Sequence, residues 1–278
     1  MLPNLLIVGA AKCGTSSLHH YLDQHPDVSM SRPKETNFFV REDWREQRDW
    51  YESRFDAASA IRGEASPAYS LYPYFRGVPE RAHSLLPEAK LVYLVRDPLT
   101  RLIAHYVEMY GLHFEHRSFE EAVGDLDDER NMYLAGSRYA TQVEQFLRFF
   151  GEERLLVLEQ DELRHERERT LRRIFTFLEV DPEFSSEHFE RELNTRSEKV
   201  RLRGVGVLLA RTGAIRLGRR VPLALRAPLS RRIKSAVTRE IEPPRLEGEL
   251  RARLVAALRP EVERLRALTG RRFDDWSL

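Results

Sequence analysis

The fold of this chain is decided by the stretch Leu5-Leu6-Ile7-Val8-Gly9-Ala10-Ala11-Lys12-Cys13-Gly14-Thr15-Ser16-Ser17-Leu18. Its four apolar residues before Gly9 are typical of a buried strand, and Gly14 is followed by three hydroxyl residues that begin a helix. Backbone N–H groups converge where such a strand, loop and helix meet, and the helix dipole adds positive potential. The stretch therefore predicts a binding site for a phosphate or sulfate group.

The loop has the glycine spacing of a Walker A motif but not its lysine. Gly9 and Gly14 fit G-x-x-x-x-G, yet Thr15 stands where the lysine of a nucleoside triphosphatase would be. The lysine lies inside the loop instead, at Lys12. Its ammonium can reach an anion on the 5′ side of a nucleotide, but it is not placed to grip a β/γ-phosphate pair. An ordinary strand–turn–helix with a surface lysine is the plain alternative.

Length and composition indicate a globular chain. Of its 278 residues, 42% are hydrophobic and 32% are charged, and the net charge of +1 argues against nucleic-acid binding. Cys13 is the single cysteine, so no intrachain disulfide forms. No apolar run approaches the ~20 residues of a membrane span, and the first four residues leave no room for a signal peptide. We therefore expect a cytoplasmic, bacterial enzyme.

The hydrophobic pattern predicts alternating strands and helices. The run Lys90–Val95 is apolar on both faces, as the central strand of a parallel sheet must be. Further strands are predicted at 61–66 and 154–158, and helices at 16–24, 43–55, 99–110, 139–150, 166–178 and 247–268. Ser118 and Glu121 have the spacing of a capping box. The alternation predicts an α/β fold, with a P-loop-NTPase-like central parallel sheet flanked by helices.

Three residues outside the loop are candidates for chemistry. Arg96 follows the strand Lys90–Val95, and ligands bind at the carboxyl ends of such strands, where its guanidinium can pair with a phosphate. Glu35 lies four residues before Phe39, the second of two adjacent phenylalanines. A carboxylate beside such apolar residues is either paired with a cation, catalytic, or an ordinary surface glutamate. His105 is either a rival general base or a partly buried helix residue. No histidine has metal-ligand spacing.

The motif from Val8 to Leu18 resembles the 5′-phosphosulfate loop of the sulfotransferases that use 3′-phosphoadenosine 5′-phosphosulfate (PAPS). The resemblance is closer to the Golgi carbohydrate and bacterial branch, which includes the heparan sulfate sulfotransferases, than to the cytosolic phenol and steroid branch. It implies sulfuryl transfer to an acceptor hydroxyl or amine, with 3′,5′-ADP as the product and no metal. It also implies that the donor is bound by Lys12, Cys13, Gly14, Thr15, Ser16 and Ser17.

Two further segments resemble the acceptor side of this family. Pro33-Lys34-Glu35-Thr36-Asn37-Phe38-Phe39 is similar to the segment whose glutamate is the catalytic base, which implies that Glu35 takes the acceptor proton while Lys34 holds its charge or the substrate. Gly63-Glu64-Ala65-Ser66-Pro67-Ala68-Tyr69 is similar to a segment near the acceptor. With His105, we take Lys34 and Ser66 as substrate-site candidates. Ala65 replaces a lysine of the glycosaminoglycan enzymes, which weakens the case for a polyanionic sugar.

The segment that begins at Arg96-Asp97-Pro98 resembles the family's 3′-phosphate motif. Arg96 matches the first arginine of that motif, but Ala104 replaces the motif's serine. A hydrogen bond to the 3′-phosphate worth about 1–3 kcal/mol is then missing. We expect Arg101 to support the fold through a salt bridge, and contact with the donor is the alternative. The end of the chain, a helix followed by Trp276, also resembles the family.

The segment 201–239 holds ten arginines, one lysine and no acidic residue. Three interpretations stay open: a solvated insertion, a lid in which Arg201 or Arg203 reaches the 3′-phosphate, and a patch that contacts a membrane surface or an acidic acceptor. We therefore predict one sulfotransferase domain over 1–278, with a basic insertion or lid at 201–245. The C-terminal helix and tail follow at 246–278.

The sequence thus predicts transfer of a sulfuryl group from PAPS to a carbohydrate, lipid or secondary-metabolite acceptor. One alternative is a P-loop kinase, because Leu91–Val95 followed by Arg96-Asp97 resembles a Walker B strand. The other is a non-catalytic protein that binds a nucleotide or a membrane through its basic segment. Replacement of Lys12 or Glu35 would discriminate catalysis from binding alone.

Overall fold

A computed structural model describes residues 1–190, 200–202 and 238–278 of the chain. Its centre is a five-stranded, all-parallel sheet. The strands are β1 (Leu5–Gly9), β2 (Val28–Met30), β3 (Ile61–Ala65), β4 (Lys90–Val95) and β5 (Leu155–Glu159), in the spatial order β2-β3-β1-β4-β5. This sheet confirms the predicted α/β fold class.

Helices connect and flank the strands. They are α1 (Thr15–Leu22), α2 (Arg48–Glu52), α3 (Val78–Leu85), α4 (Pro98–Gly111), α5 (Phe119–Val123), α6 (Met132–Ala135), α7 (Tyr139–Leu147), α8 (Gln160–His165), α9 (Arg167–Leu178) and α10 (Gly248–Thr269). Two short strands, β6 (Val200–Leu202) and β7 (Thr238–Glu240), pair antiparallel. Within the described ranges, no helix is both long enough and apolar enough to cross a membrane.

Most predicted elements are present, but the predicted helix at 43–55 is wrong. Only Arg48–Glu52 is helical there, and the residues just before it form turns. Arg41 pairs with Asp43, and Trp44 turns onto the ring of Phe38. The capping box is confirmed, since Ser118 and Glu121 each accept a hydrogen bond from the other's backbone N–H.

The core is built around β1 and β4, whose apolar side chains are almost fully buried. Leu5 pairs with Gly63 of β3 on one side and with Lys90 of β4 on the other. Because parallel strands end at the same edge of the sheet, the loops after β1, β3 and β4 converge there. The candidate site residues lie at this edge.

The basic segment lies mostly outside the described residues, which omit 191–199 and 203–237. Its three interpretations therefore stay predictions. The final helix is described, and its bounds of Gly248–Thr269 confirm the prediction at 247–268.

Gly9 lies where the end of β1 passes two side chains. A Cβ at this position would be 2.0 Å from Ser70 Oγ and 2.8 Å from Tyr93 Cε2. We expect Gly9→Ala to lower the free energy of unfolding by about 1–3 kcal/mol, because an extra methyl group in a tightly packed position forces its neighbours apart. Urea denaturation followed by circular dichroism measures this loss. An unchanged unfolding midpoint would contradict the close approach.

Candidate active site

The loop after β1 presents an uncapped helix N-terminus. Gly14 adopts a left-handed conformation (φ 94°) and precedes α1, whose first turn has no side-chain cap and no acidic residue. The N–H groups of that turn are therefore available to an anion. Thr15 is buried at this turn, while Ser16 and Ser17 are half-buried.

Cys13 supports the loop from inside. Its N–H donates to the carbonyl of Ala10 at 3.2 Å, and its thiol is buried 3.7 Å from the hydroxyl of Tyr139. Burial raises the pKa of the Cys13 thiol. The N–H of Cys13 is therefore used inside the loop, and the contact of Cys13 with the donor stays a prediction.

The structure brings Arg96 and Lys12 together at the carboxyl ends of β4 and β1. The Arg96 guanidinium donates from Nη1 to the carbonyl of Lys12 at 3.2 Å and from Nε to Thr100 Oγ1 at 3.3 Å. Both cations therefore lie on the same side of the sheet. The Lys12 ammonium contacts the carboxylate of Glu108, which projects from α4, at 2.5 Å.

The C-terminal tail hydrogen-bonds Asp97 and contacts the tyrosine that hydrogen-bonds the carbonyl of Arg96. The Asp97 carboxylate accepts hydrogen bonds from the N–H of Thr100 and from both the N–H and the hydroxyl of Ser277, each at 2.7 Å. Tyr139 donates to the carbonyl of Arg96 at 2.9 Å and contacts the ring of Trp276. The tail predicted from Trp276 thus completes the site from the far end of the chain.

Arg101 supports the fold, but the predicted salt bridge is wrong. The side chain is fully buried, and within the described part of the chain it bonds neutral groups: Nε donates to Ser137 Oγ at 2.8 Å and Nη2 to the carbonyl of Tyr133 at 2.6 Å. Burial lowers the pKa of Arg101. A buried cation held by dipoles adds positive potential beneath the loop.

His105 is a buried residue of α4, and its contact with a substrate stays a prediction. Its Nδ1 lies 3.4 Å from Arg101 Nη1, and its ring packs edge-on against Tyr133. Burial and the charge of Arg101 hold the pKa of His105 well below its ordinary value, so the imidazole is neutral. The structure therefore fits the interpretation of His105 as a buried helix residue.

Glu35 lies at the edge of the loop and is tied to it by Lys34. Lys34 Nζ is 2.8 Å from Glu35 Oε1 and donates to Thr15 Oγ1 at 3.4 Å. The carbonyl of Lys34 accepts the N–H of Ala65 at 3.1 Å, which anchors this segment to the end of β3. The Glu35 side chain is 48% exposed and can meet a ligand from solvent.

Glu64 is a buried carboxylate that the sequence analysis did not single out. It accepts hydrogen bonds from four hydroxyl groups, those of Thr36, Tyr51, Ser66 and Tyr69. Burial raises the pKa of Glu64, and these hydrogen bonds oppose the shift. A glutamate between Gly63 and Ala65 at the end of a predicted strand, followed closely by Ser66 and Tyr69, was the signal in the sequence.

The Glu64 network holds the segment that follows Glu35. Tyr69 Oη accepts the N–H of Phe38 at 3.0 Å, and Ser66 Oγ accepts the N–H of Asn37 at 3.1 Å. Ser66 is fully buried in this network, and its contact with a substrate stays a prediction. Ser66 positions the segment.

Two expectations concern groups beyond this site. Among the described residues, no group of three or more His, Cys, Asp or Glu side chains could hold a metal ion. Arg201 lies in β6, but its side chain is outside the described part, so its contact with the donor stays a prediction.

Comparison with known proteins identifies the family. Residues 2–201 match the sulfotransferase domain family. The chain belongs to the sulfotransferase family. The family predicted from the loop motif is thereby confirmed, and the enzyme is a sulfotransferase.

A solved structure and curated relatives agree with this assignment. A sulfotransferase from Alicyclobacillus acidocaldarius is 27% identical, with a TM-score of 0.69, and the match covers 98% of this chain and 97% of that one. Human heparan sulfate glucosamine 3-O-sulfotransferase 6 is 30% identical over 67% of this chain. The Caenorhabditis elegans bifunctional heparan sulfate N-deacetylase/N-sulfotransferase 1 is 27% identical over 68% of it. The match spans 55% and 23% of these two relatives, respectively.

Glu64→Gln tests the buried network. An amide offers one acceptor oxygen and one NH₂ donor, so hydroxyl donors would face the NH₂ group. We expect the sulfotransferase to lose about 2 kcal/mol of unfolding free energy, measured by urea denaturation. The control is Glu88→Gln, which removes an exposed pair with Arg154 and should change stability by less than about 1 kcal/mol. Equal losses in both variants would refute the role of Glu64.

Proposed function

We propose that this sulfotransferase transfers a sulfuryl group from PAPS to a hydroxyl or amine of a carbohydrate, lipid or secondary-metabolite acceptor. The observation that carries the proposal is the contact between Arg96 and the loop of Lys12 beside the uncapped first turn of α1. This arrangement offers separate cationic groups to the two anionic ends of one nucleotide.

The donor's 5′ end suits the loop, because the first-turn N–H groups and the Lys12 ammonium can bind a phosphosulfate. Its 3′-phosphate suits Arg96, whose guanidinium has N–H groups beyond the two used on Lys12 and Thr100. Thr100 also brings a hydroxyl beside Arg96, one helical turn before Ala104. In the free protein this hydroxyl donates to the carbonyl of Asp97 at 3.0 Å, so it would have to exchange that partner to supply the hydrogen bond that a serine at 104 would make.

The chemistry follows from the charges around the loop. When bound, PAPS supplies the sulfuryl group and a phosphate leaving group. Lys12 and the N-terminus of α1 stabilise negative charge that develops on the leaving oxygen. Glu35 accepts the proton of the attacking acceptor group. Lys34, bonded to both Glu35 and Thr15, holds that base beside the start of α1.

A carbohydrate acceptor is supported by the relatives named for heparan sulfate. The chain itself departs from the glycosaminoglycan enzymes at Ala65. This side chain is fully buried at the end of β3, so it brings no charge to the acceptor. We therefore favour an acceptor with less negative charge than heparan sulfate.

The hydrogen bonds of Asp97 argue against the kinase alternative. In a P-loop kinase the carboxylate after this strand holds Mg²⁺. Here both Asp97 oxygens accept hydrogen bonds from Thr100 and Ser277, which commits the carboxylate to the fold.

Nucleotide binding tests the donor assignment. Isothermal titration calorimetry should show that 3′,5′-ADP binds more tightly than 5′-AMP. Arg96→Ala should weaken 3′,5′-ADP about 10- to 100-fold and weaken 5′-AMP less, because 5′-AMP lacks the 3′-phosphate and loses only the support that Arg96 gives to the loop. Lys12→Ala should weaken both nucleotides. Binding of ATP–Mg²⁺ without binding of 3′,5′-ADP would favour the kinase alternative.

Glu35→Gln tests the base. Loss of a general base should lower kcat about 100- to 10,000-fold, measured as transfer of labelled sulfate from PAPS to a panel of carbohydrate and lipid acceptors. Binding of 3′,5′-ADP should stay intact, since Glu35 does not hold the donor. Glu42→Gln, an exposed change in the same part of the chain, is the control. Undiminished kcat in Glu35→Gln would remove Glu35 from the mechanism.

A further inference from the structure

The lysine of the phosphosulfate loop is already paired with a carboxylate of the same chain. Lys12 Nζ lies 2.5 Å from Glu108 Oε1, and the two side chains are 16% and 36% exposed. Within the residues that the structure describes, Glu108 is the one carboxylate in contact with Lys12. The pair joins the first loop of the chain to a helix 96 residues later.

Glu108 lies on the face of α4 that is turned to the loop. Thr100, Ala104 and Glu108 are spaced at intervals of four residues, so they share one side of the helix. Thr100 bonds Arg96 at one end of this face, and Glu108 contacts Lys12 at the other. Ala104 between them is half-buried and small. This face of α4 therefore has a negative charge beside the place assigned to the donor's 5′ end.

A carboxylate in this place competes with an anionic ligand. An ammonium forms its strongest hydrogen bonds with charged oxygens, and Glu108 supplies one where a phosphate or sulfate oxygen would bind. Among the described residues, Arg96 and Arg101 have other partners than Glu108. A ligand at the 5′ end must therefore displace Glu108 or share Lys12 with a like charge.

We propose that Glu108 is a positioning residue that acts through Lys12 and competes with the donor's 5′ end for its ammonium. Glu108 pairs with Lys12 in the free enzyme. The pair breaks when the donor binds and forms again when the product 3′,5′-ADP leaves. This inference rests on the proposed use of PAPS. It predicts that donor and product affinity are both weaker than the cationic groups alone would give.

Calorimetric titration of Glu108→Gln with 3′,5′-ADP tests the inference. Gln keeps the shape of the side chain and removes its charge, so we expect 3′,5′-ADP to bind about tenfold more tightly than to the unaltered enzyme. Adenosine 3′-phosphate lacks the 5′-phosphate and should bind equally to both. Glu88→Gln, at the opposite end of β4, is the matched control and should bind both ligands like the unaltered enzyme. Circular dichroism verifies the fold of each variant.

A double-mutant cycle separates competition from a general change in charge. In the background of Lys12→Ala, Glu108→Gln should no longer tighten the binding of 3′,5′-ADP, because the ammonium for which both groups compete is gone. A gain that persists without Lys12 would overturn the inference and assign the effect to long-range electrostatics.

The outcomes also separate this inference from the proposed function. If the unaltered enzyme binds 3′,5′-ADP and Glu108→Gln binds it equally or more weakly, competition by Glu108 is refuted and the use of PAPS stands. If the unaltered enzyme does not bind 3′,5′-ADP at all, the proposed donor is refuted and this inference falls with it.

Discussion

The structure depends on the contact between two strand ends at the middle of the sheet. The loop after β1 has no regular secondary structure, yet it must hold backbone N–H groups in one direction. Arg96, at the end of β4, fixes that loop by donating to the carbonyl of Lys12. Because Tyr139 and Ser277 in turn hold Arg96 and Asp97, a helix and the C-terminal tail both stabilise the anion site.

A second constraint is the buried carboxylate of Glu64. An ionised group is costly to bury unless hydrogen bonds replace its water, and four hydroxyl groups do so here. Those hydroxyl groups come from segments that are far apart in the chain, including Tyr51 and Tyr69. One polar residue thereby orders the backbone that carries Glu35, although Glu64 itself is buried away from ligands.

The charges of the site are balanced in pairs. Lys12 contacts Glu108, and Lys34 contacts Glu35, so each lysine beside the loop has a carboxylate partner. Arg101 differs, since it is buried among neutral groups. An anionic ligand entering this site would exchange partners with the lysines while the potential from Arg101 stays.

The α/β class and the strand–loop–helix that carries Lys12 could be predicted from the sequence, and so could the position of Arg96 directly after a strand. These follow from local patterns: apolar runs, glycine spacing and residues that directly follow a strand. The burial of Ser66 and His105, and the neutral partners of Arg101 among the described residues, could not be predicted, because burial and partner choice depend on residues distant in sequence. Only the tertiary structure showed Glu64 and Glu108 at the site, since their partners come from other elements of the fold.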